Sequence, residues 1–74
     1  MTQKRNLGHE RAVLLNTIMK RNLSEQFALR TAEIIKNTRL QYDSKAADEK
    51  AAELTEIINS CETEQEMLEA IKGM

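Results

Sequence analysis

Apolar residues recur along this chain at intervals of three and four, and no segment alternates apolar with polar positions between turn signals, so the pattern is helical from end to end. Proline is absent and glycine stands only at Gly8 and Gly73, which leaves the long periodic stretches without a breaker. The first helix is expected from about His9 to Arg21. Leu14, Ile18, Leu15, Met19 and Ala12 cover a broad apolar face with Arg11 near its solvent edge, and Glu10, Asn16, Thr17, Lys20 and Arg21 take the other side. Val13 falls among the polar residues, as an ordinary exposed apolar side chain. Residues 1–8 are polar and read as a short arm.

The stretch from Leu23 to Tyr42 predicts the helix around which the rest is organised, because it alone carries two apolar faces. At about 100° per residue, Phe27, Thr31, Ile34, Ile35, Thr38 and Tyr42 fall in one stripe facing a core. Leu29 and Leu40 lie on the opposite side with Glu33 and Lys36 between them. A helix with neighbours front and back is the centre of a small bundle or the seam of a dimer. Its N-cap falls to Ser24, or to Asn22 if Asn22 and Glu25 form a capping box. A linker of two or three residues predicts that the first two helices form an antiparallel hairpin.

The third helix is expected over about Lys45 to Asn59, with Ala47, Ala51, Leu54 and Ile58 on one stripe joined by Ile57 and Cys61. Its first half buries only alanines, which lets a neighbouring axis approach toward the lower end of the ~8–10 Å range. Asp48, Glu49, Glu53 and Glu56 form the reverse face, solvated or docked on something basic. Asp43 and Ser44 favour a break before this helix, although Lys45, Ala46 and Ala47 would allow it to continue from the second. Thr63 and Glu66 make a capping box for a last short helix through Lys72, with Met67, Leu68 and Ile71 apolar and Gly73 as a stop. Two turns are unstable alone, so this helix must dock on its own bundle or on another chain. Residues 32–37 and 55–60 echo each other weakly, which reflects the shared grammar of amphipathic helices and not a repeat.

The fold expected is all-α: one helical domain over residues 9–74, a small bundle of three main helices plus a short C-terminal one, as a homodimer. Composition is the reason for the dimer. Within 74 residues there are one Phe, one Tyr and no Trp, and below ~70–80 residues an aliphatic core seldom supplies more than ~3–5 kcal/mol without further support. One cysteine and one histidine exclude an intrachain disulfide and weigh against structural zinc, so oligomerisation is the support left. A lone cysteine in so small a domain fits a reducing, cytoplasmic setting. The longest unbroken apolar run, Ala12 to Leu15, is too short for a signal peptide or a membrane span.

Net charge is −1, but residues 1–42 carry +5 and residues 43–74 carry −6, and blocks of opposite sign invite pairing within a chain or between two. Catalytic chemistry has no foothold. His9 has no nucleophile or oxyanion site near it, Cys61 has no basic neighbour to lower its pKa, and no glycine-centred acidic loop offers a calcium site. No enzyme activity and no cofactor are expected. The leading expectation is a small regulator, inhibitor or adaptor that docks a helical face on another protein. Its interface would use Leu29, Glu33, Lys36 and Leu40, either as a self-complementary seam between two copies or covered by the fourth helix in one chain. The acidic Asp48, Glu49, Glu53 and Glu56 would face a basic partner. The alternative is nucleic-acid binding through Lys4, Arg5, Lys20 and Arg21, although Arg30, Lys36 and Arg39 point different ways, aromatics are not interleaved and the pI is near 5.8.

Overall fold

A computed structural model describes residues 8–74; the expected arm, apart from Gly8, lies outside the described residues. The chain folds into four helices: α1 (His9–Lys20), α2 (Glu25–Gln41), α3 (Ser44–Ser60) and α4 (Glu64–Ile71). No strand occurs among the described residues, and the helices pack together as an all-α bundle.

Local chemistry ends each helix where it does. After α1, Asn22 takes a left-handed φ of 57°. Its N–H bonds the Met19 carbonyl and the Leu23 N–H reaches back to Ile18, which is the paired closure of a Schellman motif with asparagine where glycine is commoner. Ser24 is the N-cap of α2, its Oγ accepting from the Phe27 N–H at 3.2 Å. Of the two cap candidates, then, Ser24 starts the second helix and Asn22 ends the first. α2 and α3 are separate helices. Asp43 caps α3 by accepting the Ala46 N–H at 2.8 Å, offering the backbone the local alternative that an uninterrupted helix would have forgone. The capping box of α4 is present: the Glu66 N–H donates to Thr63 Oγ1, and the Glu66 carboxylate accepts from the Thr63 N–H. Gly73 follows α4 without a left-handed φ, so the helix closes through Lys72 and Met74 N–H bonds to Glu69 and Ile71.

The organising helix is α3 and not α2. α3 packs on α1, α2 and α4, whereas α1 and α2, though antiparallel across their short linker as expected, approach each other less closely than either approaches α3. Small residues explain the difference. Ala47 and Ala51 are fully buried, and a surface of alanines lets two neighbours come close on different sides of one axis. Arg11 meets Asp48 and Arg21 meets Ile58 to Glu62, so α1 runs parallel to α3, while the short turn at Tyr42 and Asp43 makes α2 antiparallel to it. α1 and α2 therefore lie side by side on α3, pointing in opposite directions.

The core comprises Leu14 and Ile18 of α1, Phe27, Ile34 and Ile35 of α2, Ala47, Ala51, Leu54 and Ile58 of α3, and Met67 and Ile71 of α4. Burying a large aliphatic or Phe side chain contributes ~1.5–3 kcal/mol before entropy is counted. Thr31 lies within this core at 2% exposure, its hydroxyl satisfied by the Ala28 carbonyl at 2.8 Å. Several expectations fail at the edges: Ala12, placed on the apolar face of α1, is exposed, and Val13, placed on the polar side, is half-buried. Leu15 and Met19 stay more than half exposed, because no helix closes over that side of α1; Tyr42 is exposed, because α2 stops at Gln41. Asp48 leaves the solvated acidic face altogether: it is 5% exposed and its Oδ1 accepts from Arg11 Nε at 3.1 Å, since α1 lies over that part of α3 and brings its arginine with it.

Candidate interaction surface

The site grows from the circumference of α2. Phe27, Thr31 and Ile34 face the core and are buried. At about 100° per residue, the next sector holds Ile35, Ala28, Arg39 and Ala32, and the one beyond it Lys36, Leu29, Leu40 and Glu33. Apolar side chains thus continue around roughly two thirds of the helix, far more than the stripe one core contact uses. Polar residues, Gln26, Arg30, Asn37 and Gln41, fill the remainder.

Because α1 and α2 each approach α3 more closely than each other, the middle sector opens into a cleft of about 670 Å³. Leu15 and Ile18 form its α1 wall; Ala28, Ala32, Ile35 and Leu40 form the α2 wall, with Lys36 and Arg39 at the rim. From Ala28 to Leu40 the cleft runs about 18 Å, three turns of helix. A shallow depression around Leu29, Ala32, Glu33 and Lys36 adjoins it, sharing Ala32 and Lys36. The two make one continuous surface, which includes Leu29 at 63% and Leu40 at 74% exposure.

Leu29 and Leu40 were expected to meet either a second copy or α4. α4 does not cover them. Its first residue, Glu64, accepts the Ser24 hydroxyl at 2.6 Å and the Ser24 N–H at 3.0 Å, which fastens α4 to the first turn of α2. Met67 and Ile71 are then buried in the core, and Leu68 sits half-open beside Gln26 and Arg30. That is the polar side of α2, away from the cleft. The same two hydrogen bonds favour the ionised carboxylate and hold Glu64 below the ordinary carboxylate range, the hydroxyl contributing most and slight burial opposing.

The other sequence candidates are dispersed. Glu33 pairs with Arg30 at 3.3 Å, three residues before it, and Glu53 with Lys50 at 3.2 Å; such exposed pairs contribute little. Glu49, Glu53 and Glu56 form the open acidic face of α3 without Asp48. Lys4 and Arg5 lie outside the described residues. Arg21 is occupied: its guanidinium donates to the carbonyls of Ile58 at 2.8 Å, Cys61 at 3.0 Å and Glu62 at 3.4 Å. It thereby adds a second donor to the Ile58 carbonyl, which also accepts the Cys61 N–H at 3.3 Å, and caps the Cys61 and Glu62 carbonyls just past α3, so the Arg21 guanidinium is turned to α3. Cys61 is half-buried at the α3 C-cap and His9 is exposed at the start of α1. Among the described residues no group of three or more His, Cys, Asp and Glu could hold a metal ion, and no helix is long and apolar enough to cross a membrane.

No protein-family model matches the chain, and neither a curated protein nor a solved structure matches it.

Proposed function

We propose that this is a non-catalytic interaction protein, a small regulator or adaptor that docks the α1–α2 face on another helical surface, homodimerisation being the simplest form of that docking. The observation behind this reading is the open apolar cleft: Leu15 and Leu40 line it, Leu29 lies in the depression that adjoins it, and all three are large and exposed. Contiguous apolar surface of this kind on a soluble domain marks a site of association, and grooves between helices receive amphipathic helices. The lone cysteine keeps its reading as a thiol of a reducing compartment, and the acidic face of Glu49, Glu53 and Glu56 remains available to a basic partner.

Site-specific photo-crosslinking in cells tests this. A crosslinking side chain in place of Ala32, on the cleft wall, is expected to give discrete protein adducts that a second change, Leu15→Asp, removes. The same group in place of the exposed Ala52 on α3 is expected to give none. Equal labelling from the two positions, or adducts that vanish on nuclease treatment, would overturn the reading.

A further inference from the structure

We infer that the occupant of this face is a second copy of the chain, docked about a two-fold axis that crosses α2 between Ile34 and Ile35. The inference rests on the docking reading above and names its partner.

The register follows from the outer stripe of α2. Leu29, Glu33, Lys36 and Leu40 are spaced four, three and four residues apart, the spacing by which helices keep one seam facing each other. A two-fold axis at the centre of that stripe sets residue 29 of one copy against residue 40 of the other, and residue 33 against residue 36. Leu29 therefore meets Leu40 at both ends, and Glu33 meets Lys36 twice in the middle. This is the self-complementarity that an isologous interface requires. The Arg30 contact of Glu33 is an exposed pair on the flank and leaves the carboxylate's second oxygen for the lysine.

Ala32 borders the stripe on the α1 side, and its small size lets the second α2 approach closely. Leu40 of the second copy then lies level with Leu29. By symmetry the same contacts form at the other end, so one interface covers Leu29 and Leu40 in both chains. Charge does not oppose it. Arg30 and Arg39 share a level across the axis, but they project about 180° apart around α2, so they never face each other.

An occupant with only acidic flanks would use Lys36 and Arg39 but leave Glu33 facing like charge. A second copy satisfies Glu33 and Lys36 together.

The test is the mass of the purified full chain by light scattering, with circular dichroism alongside. The wild type is expected at twice the chain mass. Leu29→Asp and Leu40→Asp are expected to give monomers of unchanged helicity, since both residues are exposed in a single chain. Glu33→Lys alone and Lys36→Glu alone are each expected to weaken dimerisation about tenfold or more, through like charges brought together at the two-fold axis. Combining Glu33→Lys with Lys36→Glu restores the dimer. A dimer that ignores all of these changes overturns the register. A wild-type monomer at the highest soluble concentration overturns the second copy, and the crosslinks from position 32 then separate the two failures: adducts to another protein keep the docking reading, and their absence removes both.

Discussion

α2 and α3 have the same length, 17 residues each, and opposite characters. α2 carries the greater spread of large apolar side chains, and α3 is half alanine on its buried stripe. Yet α3 touches all three other helices, while α2 leaves an apolar flank open. Centrality thus goes to the helix whose neighbours can approach most closely, and surplus apolar surface goes to the helix that lacks a neighbour. A second apolar face on α2 marks an edge of the bundle.

The contrast can be broken by exchanging how each helix tolerates size. Leu54→Ala in α3 removes a fully buried side chain and is expected to cost about 2–5 kcal/mol in urea unfolding; Leu40→Ala in α2, measured in a monomeric background such as Leu29→Asp, should stay within about 0.5 kcal/mol. Equal losses would mean that α2 is the true centre. Ala51→Leu should cost about 1–3 kcal/mol by overfilling the tight α3 contact, and Ala52→Leu, one residue on and exposed, should change thermal stability little.

The smallest effect concerns the clasp between the two helices α2 and α4. Glu64 titrates below its ordinary value of 4.5 when folded, so the folded state binds its proton less readily than the unfolded chain. Its contribution is therefore complete above that ordinary value and fades as pH falls through the lowered one. Between about pH 6 and about pH 3 the wild type should lose more stability than Glu64→Gln, with urea midpoints as the measure. Parallel losses would show that the Ser24 contact does not matter for folding.

Much of the fold was legible in the sequence because its signals are local. Helix periodicity, Thr63 with Glu66, Asp43 and Ser24 each act within one turn of backbone, and all four helices end within a few residues of where those signals put them. What the sequence did not reveal depends on contacts made far along the chain. The Asp48 carboxylate looked solvated because Arg11, its partner, is 37 residues away, and Arg21 looked free because the carbonyls it caps belong to the other end of α3. The cleft was half legible. Leu29 and Leu40 stood out as a second face, but Leu15 and Met19 were assigned to the core, since nothing in a hydrophobic pattern says that α1 and α2 would each approach α3 more closely than each other.

The polar ties have a mechanical meaning. Arg21 reaches the end of α3, and Ser24 grips Glu64, so the finish of α1, the start of α2, the finish of α3 and the start of α4 are pinned at one pole. At the opposite pole, Arg11 fastens α1 to α3 and a tight turn fastens α2 to α3, but neither tie joins the two outer rods. The two outer rods are thus held by α3 at both poles, and the spacing of the cleft between them is set through that shared helix.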